Sequence, residues 1–189
     1  MGEHICPVWI GYLLASPARK LFQNPKKILS PYVEEGMKVL DIGCAMGFFS
    51  LPLAKMVGAS GKVICVDVQE KMIKSLEKRA EKQKLSRRID TRICQYNSLG
   101  IEDLKDEIDF VLAFAVVHEV PDVGAFFSQI GNAMKPTGRL LIAEPGGHVS
   151  EEDFRITVST AEQNSFTVID SPHIGQSRAV LLEKKSSNT

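Results

Sequence analysis

Short apolar runs that alternate with helical patterns constrain the fold of this chain more than any other feature of its sequence. Five runs have the length and apolar content of buried strands: residues 38–42, 62–66, 91–95, 108–117 and 139–143. Helical spacing lies between them, at residues 48–57, 70–83 and 121–134, and another helix begins at Ser150. Strands that alternate with helices predict a mainly parallel sheet.

The last two predicted strands, residues 166–169 and 178–182, have no helix between them, so we expect them to pair antiparallel. The sequence therefore predicts an α/β fold with a Rossmann-like seven-stranded sheet, mostly parallel with an antiparallel last strand, and helices on both faces. Ligands of such sheets bind at the carboxyl ends of the strands, beside the first strand. We expect residues 37–185 to form this domain, residues 1–36 an N-terminal helical cap, and residues 186–189 a frayed tail.

The charge balance narrows the class of partner. In a chain of 189 residues, 23 Lys and Arg residues face 23 Asp and Glu residues, so the formal net charge is zero. This balance does not favour a nucleic acid or an anionic membrane as partner, and we expect a small molecule instead. The apolar segment at residues 7–15 is too short for a membrane span and lacks a basic flank.

The cysteines favour a reducing compartment. They show no CxxC pair and no spacing typical of a zinc site: Cys6, Cys44, Cys65 and Cys94. Two of them fall inside strand-like runs, which favours core thiols over disulfides. We therefore expect a cytoplasmic protein without a bound metal.

A glycine-rich turn follows the first predicted strand, in the segment VLDIGCAMGFFS. Gly43 and Gly47 let the backbone approach a ligand, and the next helix offers free N–H groups. Asp41 lies two residues before the turn. A carboxylate there repels a phosphate group but attracts a cationic amino-acid tail. Asp67 ends the second strand, 26 residues after Asp41, where a carboxylate can bind a ribose diol.

Five segments in order resemble the signatures of class I S-adenosylmethionine-dependent methyltransferases, in a small single-domain form like methyltransferase types 11 and 25. They are VLDIGCAMGFFS, VICVDV, RICQYNS, IDFVLAFAVVHEVPD and MKPTGRLLIAEP. The resemblance runs from about residue 26 to residue 184. It implies in-line transfer of a methyl group from S-adenosyl-L-methionine to a small-molecule acceptor, with S-adenosyl-L-homocysteine as product.

The resemblance also implies which residues bind the cofactor. The methionine end is lined by residues of the glycine turn: Asp41, Gly43, Cys44, Ala45, Gly47 and Phe48. Asp67 holds the ribose, and the adenine lies near Val68, Met72, Asn97 and Ser98. Phe114 and Ala115 lie beneath the methionine and the methyl group. Two residues depart from the family pattern, since Ala45 replaces a glycine and Asn97 an aspartate.

Three residues at the expected ligand edge are candidates for catalysis: His118, Glu144 and His148. For His118 a structural role is the favoured alternative, and for His148 an exposed turn is an equal one. His173 precedes the last strand, and a surface role is its default interpretation. No NPPY-like motif follows the fourth strand, which disfavours N-methylation.

The N-terminal segment carries an aromatic pair, Trp9 and Tyr12, on one predicted helical face. We expect it to cover the cofactor, with core packing or a homodimer contact as alternatives. Two other functions stay open at this point. One is a nicotinamide-dependent Rossmann oxidoreductase, and the other is a non-catalytic S-adenosylmethionine-binding or regulatory module.

Overall fold

The computed structural model describes residues 23–185 of the chain. The predicted lid around Trp9 and Tyr12 and the predicted tail at residues 186–189 lie outside the described residues. Among the helices of residues 23–185, none is long and apolar enough to cross a lipid bilayer.

Seven strands form one sheet among the described residues. They are β1 (Lys38–Ile42), β2 (Lys62–Asp67), β3 (Ile89–Ile93), β4 (Ile108–Phe114), β5 (Met134–Pro145), β6 (Phe166–Asp170) and β7 (Ser177–Lys184). Their order across the sheet is β3-β2-β1-β4-β5-β7-β6. The strand order reverses between β1 and β4, and this is where a sheet of this kind binds its ligand.

Six strands run in one direction and β7 runs against them. The neighbours from β3 to β5 pair parallel, whereas β7 pairs antiparallel with both β5 and β6. The predicted fold class, with its antiparallel last strand, is confirmed. Since β6 is parallel to β5, the connection at residues 171–176 lies at the same edge as the carboxyl ends of β1 and β4.

Five α-helices accompany the sheet in the described residues. They are α1 (Pro25–Leu29), α2 (Ser50–Met56), α3 (Glu70–Lys82), α4 (Val123–Ala133) and α5 (Glu151–Gln163). Side chains cap three of them. Asn24 accepts the N–H groups of Lys26 and Lys27, Asp122 accepts the N–H of Ala125, and Ser150 accepts the N–H of Asp153. The prediction that this helix starts at Ser150 is confirmed, with Ser150 as its N-cap and Glu151 as its first helical residue.

Two apolar clusters lie on opposite faces of the sheet. Successive residues of β1 alternate between them, with Val39 in one cluster and Leu40 in the other. The first cluster includes side chains of α1, α2 and α3, and the second includes side chains of α4 and α5. The central strands are therefore buried on both sides, which explains why their sequences read as continuous apolar runs.

Several predicted strand ends are wrong by a few residues. The third strand is Ile89–Ile93 and not 91–95, because Gln95 exchanges backbone hydrogen bonds with Ser98 and closes a turn. The fourth ends at Phe114, because Ala115 adopts a left-handed φ of 56°. The fifth begins at Met134, where a bulge opposite Ile108–Phe110 extends the pairing past the predicted start.

The helix ends differ for similar local reasons. The helix predicted from residue 48 begins at Ser50, because residues 44–49 form the turn that leaves β1. The helix predicted from residue 121 begins at Val123, after the Asp122 cap.

The double-sided burial of β1 makes Leu40 a sensitive position. We expect Leu40→Ala to lower the free energy of unfolding by ~2–5 kcal/mol, because it leaves a cavity in a close-packed core. Ile156 is an exposed residue of α5, and Ile156→Ala should change the same quantity by no more than ~0.5 kcal/mol. Urea unfolding of both variants measures the difference, and equal values would contradict the assigned core.

Candidate active site

The turn between β1 and α2 is built around two glycines in the left-handed region. Gly43 has φ +69°, and a Cβ there would lie 2.9 Å from Cγ2 of Val116. Gly47 has φ +83°, and a Cβ there would collide with Cδ1 of Leu76. The N–H groups of Gly43 and Cys44 both donate to the Val66 carbonyl, at 2.9 and 3.1 Å. Conformation and packing both require glycine at these positions.

Ala45 stands between the two glycines and also adopts a left-handed conformation, with φ 45°. This region costs a residue with a Cβ about 1–2 kcal/mol. The turn keeps its shape because the Ala45 N–H donates to Oδ2 of Asp67 at 2.9 Å. The departure from glycine therefore adds strain to the turn without removing a backbone contact.

Asp41 is a buried carboxyl group at the end of β1, with 2% of its surface exposed. Ser50 at the start of α2 donates its hydroxyl to Oδ2 of Asp41 at 2.5 Å. Burial raises the pKa of Asp41 to about 7, with the Ser50 hydrogen bond acting against the rise and the nearby Asp67 charge adding to it. A cationic ligand group beside Asp41 would favour its charged form.

Asp67 ends β2 and holds the glycine turn from the other side, with 8% of its surface exposed. Its Oδ1 accepts the N–H of Gln69 at 2.8 Å, and its Oδ2 accepts the N–H of Ala45. Burial raises the pKa of Asp67, while these two backbone hydrogen bonds lower it. Each oxygen keeps a second lone pair, which is the acceptor set that a ribose diol needs.

The donor set fits S-adenosyl-L-methionine better than a dinucleotide. Two buried carboxyl groups flank the turn. Their negative charge would repel a pyrophosphate and would attract a ligand with an ammonium and a sulfonium group. The same turn leaves no room for side chains at Gly43 and Gly47. Asp41 and Asp67 would hold the cationic end and the ribose of that cofactor.

The predicted adenine residues lie in different surroundings. Met72 is buried at the start of α3, and Val68 is half-buried beside it in the chain. Asn97 is exposed, and its carbonyl accepts from Nε2 of Gln129. The Ser98 hydroxyl bonds within its own loop, to Glu102 and to the Gly100 N–H.

Two residues that the sequence did not indicate also shape this end of the site. Gln129 of α4 fixes the loop after β3, since its Oε1 accepts the Leu99 N–H at 2.8 Å. Ile93 pairs in register with Asp67 and is 55% exposed. An exposed apolar residue at the end of an edge strand is a detectable signal, whereas a contact made from α4 has no local signature.

The remaining turn residues form the floor of the site by packing. Cys44 is buried in the first apolar cluster, and burial raises its thiol pKa well above the usual range. Phe48 meets the Phe49 ring edge to face at 5.0 Å, and Phe49 lies 4.6 Å from the Phe114 ring. Cys44 is thus a packing residue that contributes its backbone N–H, not a reactive thiol.

The chain leaves β4 through a turn that is held by β5. The Ala115 N–H donates to the Ala143 carbonyl at 2.7 Å. Glu144, with 1% of its surface exposed, accepts the Val117 N–H at 2.7 Å through Oε1. Its Oε2 lies 2.6 Å from Nδ1 of His118. Two of the three predicted catalytic residues are therefore in direct contact.

His118 is the more accessible member of this pair, with 32% of its side chain exposed. The hydrogen bond to Glu144 raises the pKa of His118, burial lowers it, and the charges of Glu144 and Glu119 raise it further. Its Nε2 lies 4.0 Å from Oε1 of Glu119. The imidazole is thus fixed at Nδ1 by Glu144, whereas its Nε2 lies beyond hydrogen-bond distance of Glu119.

His148 belongs to the neighbouring loop after β5 and is exposed. Arg178 of β7 holds this loop, since its Nη1 donates to the carbonyls of Gly146 and Val149 at 3.0 and 2.9 Å. The Gly146 N–H donates to the Gln176 carbonyl at 3.1 Å, which joins the loop to the β6–β7 connection. His173 of that connection is exposed, and the topology puts it at the ligand edge.

Within residues 23–185, no group of three or more His, Cys, Asp or Glu side chains is arranged to hold a metal ion. The described residues of this edge offer carboxylates, histidines and backbone groups to a ligand.

The raised pKa of Asp41 predicts a pH-dependent stability. The folded state keeps the Asp41 proton up to about pH 7, whereas the unfolded state releases it near pH 3.8, so the free energy of unfolding falls as pH rises between these values. The fall amounts to about 1.4 kcal/mol per unit of pKa difference. Denaturant unfolding of wild type and Asp41→Asn tests this: the difference between them should change with pH, and parallel curves would refute the assignment.

The strained Ala45 predicts a stabilising substitution. We expect Ala45→Gly to raise the free energy of unfolding by up to ~1 kcal/mol, because relief of the left-handed strain outweighs the added chain entropy. Ala80→Gly, within α3, should instead lower it by at least ~0.5 kcal/mol. Thermal unfolding of both variants distinguishes the two positions, and a loss of stability in Ala45→Gly would exclude strain in the turn.

Curated proteins similar to this chain are named methyltransferases. The ubiquinone biosynthesis O-methyltransferase of Rhodopseudomonas palustris (strain TIE-1) is 32% identical over 143 residues, which cover 75% of this chain and 51% of the relative. Its counterpart from Bradyrhizobium diazoefficiens is 31% identical over 141 residues, with coverages of 75% and 51%. The chain thus spans about half the length of these curated relatives.

A solved structure and a family model extend the comparison. A SAM-dependent methyltransferase from Aquifex aeolicus shares the fold with a TM-score of 0.82, at 23% identity, over 95% of this chain and 98% of that one. The model of a methyltransferase domain family matches residues 33–183. The predicted family and its cofactor, S-adenosyl-L-methionine, are confirmed, and the chain belongs to the methyltransferase domain family.

Proposed function

We propose that this chain is an S-adenosyl-L-methionine-dependent methyltransferase that acts on an oxygen atom of a small-molecule acceptor. The observation that carries the proposal is the pair of buried carboxylates, Asp41 and Asp67, on either side of a turn that requires glycine. This arrangement complements a cationic ligand with a ribose diol. Family membership supports the same activity.

The residues of the turn give the cofactor its orientation. Asp67 binds the ribose, Asp41 faces the cationic end, and Phe114 and Ala115 lie below the methionine. When bound, the cofactor supplies an electrophilic methyl group for in-line attack by the acceptor. Holding two reactants in line contributes ~7–11 kcal/mol to the lowering of a barrier, so positioning is the main task of these residues.

Oxygen as the methylated atom is supported by the curated relatives, which are named O-methyltransferases. A small acceptor is supported by the zero net charge and by the short loops at the ligand edge. Three loops lie at this edge on the side away from β2 and β3: those after β4, after β5 and between β6 and β7. They are the acceptor side of the proposed site.

The proposal also covers the cellular compartment of the protein and the role of its N-terminal segment. Cys44, Cys65 and Cys94 are free thiols, which supports a reducing, cytoplasmic location. Residues 1–36 are proposed as a cap on the domain, and Leu29 and Val33 of this segment pack into the first apolar cluster. Contact of two chains through the N-terminal segment stays a prediction.

The two alternatives differ in what they bind. A nicotinamide-dependent oxidoreductase would bind NAD, and a regulatory module would bind S-adenosyl-L-methionine without transferring its methyl group. Calorimetric titration with S-adenosyl-L-homocysteine and with NAD separates the first from the proposal. Incubation with methyl-labelled cofactor and a hydroxyl acceptor separates the second, because only an enzyme moves the label.

Asp67 provides the sharpest test of the cofactor site. We expect Asp67→Ala to weaken binding of S-adenosyl-L-homocysteine by at least about 100-fold, because each hydrogen bond to a charged group contributes ~1.5–3 kcal/mol. Asp170→Asn is a matched control, since Asp170 also accepts a nearby backbone N–H but lies exposed at the far strand β6. Calorimetry should show unchanged affinity for the control; unchanged affinity in Asp67→Ala would overturn the ribose assignment.

A further inference from the structure

One buried carboxylate joins the turn after β4 to the end of β5. Glu144 uses its two oxygens for two different partners, Oε1 for the Val117 N–H and Oε2 for Nδ1 of His118. Both distances, 2.7 and 2.6 Å, are those of hydrogen bonds to a charged acceptor. The carboxylate therefore fixes both the backbone of the turn and the plane of the imidazole.

This arrangement determines the tautomer of the neutral imidazole. An ionised carboxylate only accepts, so the His118 proton must reside on Nδ1. The lone pair then lies on Nε2, which makes no hydrogen bond to the nearby Glu119 carboxylate at 4.0 Å, and the side chain as a whole is 32% exposed. His118 thus presents a proton acceptor away from Glu144, in the orientation that a general base requires.

The turn that carries His118 lies against the proposed cofactor site. Val116, two residues earlier, packs so closely on Gly43 that no side chain fits between them. The charge of Asp67 contributes to the raised pKa of Glu119, the residue after His118. His118 is therefore attached to the segment that borders the glycine turn, on the acceptor side of the carboxyl edge.

We propose that His118 is the catalytic proton acceptor of the methyl transfer and that Glu144 is its positioning residue. The inference rests on the proposed function and deepens it, because a base is needed only if the attacking group carries a proton. It assigns the acceptor to compounds with an ionisable hydroxyl, such as phenols and enols. The oxygen forms its bond to the methyl carbon as the carbon–sulfur bond breaks toward sulfur, and the hydroxyl proton passes to Nε2.

The charges around His118 favour its protonated form. Glu144 faces it from β5 and Glu119 from its own turn, while Asp67 of β2 acts on Glu119. Arg178 of β7 is in register with Glu144, but its Nη1 donates to loop carbonyls. The carboxylates therefore stabilise the imidazolium that accepts the proton, and activity should rise with pH to a plateau above the His118 pKa.

A purely structural role for the pair predicts different results. In that case the hydrogen bonds to Glu144 would stabilise the turn, and the identity of the group at Nε2 would not matter. Two conservative variants separate these roles because each keeps hydrogen-bonding side chains at both positions. His118→Asn retains a side-chain N–H near the place of Nδ1 and removes Nε2.

The second variant, Glu144→Gln, changes only the tautomer. The amide oxygen can still accept the Val117 N–H, so the amide NH₂ must donate to Nδ1 of His118. The imidazole proton then moves to Nε2, and the base is lost without a change in shape. Imidazole ¹⁵N chemical shifts report this directly: wild type should carry the proton on Nδ1 and Glu144→Gln on Nε2.

Kinetics with catechol as the methyl acceptor complete the test. We expect both variants to lower kcat by about 10²–10⁴-fold and to lose the rise of kcat with pH, with affinity for S-adenosyl-L-homocysteine within about twofold of wild type. With 4-nitrocatechol, which is already ionised at neutral pH, the loss of kcat should shrink to less than about tenfold, because its hydroxyl needs no base to remove a proton.

The remaining outcomes decide against one proposal or the other. A wild-type protein that binds no S-adenosyl-L-homocysteine contradicts the proposed function itself. Binding without transfer to catechol, or transfer to aniline or thiophenol instead, contradicts only the hydroxyl assignment. A His118→Asn variant that keeps wild-type kcat and its pH profile, or a proton on Nε2 in wild type, overturns the role of His118.

Discussion

Burial of the central strands on both faces is the constraint on which the rest of the structure depends. Residues of β1 and β4 alternate between two apolar clusters, so a polar side chain has no place along the strands. Polar groups are therefore confined to strand ends, and three carboxyl groups occupy the same edge: Asp41, Asp67 and Glu144. Each is accommodated by hydrogen bonds from backbone or hydroxyl donors, because a buried carboxylate without them would be too costly.

The three carboxyl groups divide the edge into regions with different chemistry. Asp67 receives two backbone N–H donors and keeps acceptor capacity, while Asp41 receives one hydroxyl and burial raises its pKa to about 7. Both carboxylate oxygens of Glu144 make hydrogen bonds to the turn after β4. The first two therefore suit a ligand with positive charge and hydroxyl groups, and the third orients a neighbouring side chain. Carboxylates of similar burial thus have different roles because their hydrogen-bond donors differ.

Much of the fold could be predicted from the sequence because it rests on local patterns. Apolar runs and helical spacing located the strands and helices, and the missing helix before residue 178 indicated the antiparallel strand. The errors lie where backbone geometry overrides pattern, as at the left-handed Ala115 that ends β4. In the site, the turn residues were predictable from spacing. The contact between Glu144 and His118 was not, because 26 residues separate them and only strand pairing brings them together.

The reversed direction of β7 has a consequence for how proteins of this architecture diversify. Because β7 runs antiparallel to β6, the hairpin loop at residues 171–176 lies with the loops after β4 and β5 at the ligand edge, and β6 and β7 pair behind it. Arg178 and the Gly146–Gln176 hydrogen bond tie its base to the loop after β5. Each doubling of a flexible loop costs only about 0.6 kcal/mol. New acceptor pockets can therefore be acquired by insertion at this hairpin, with the catalytic framework left intact.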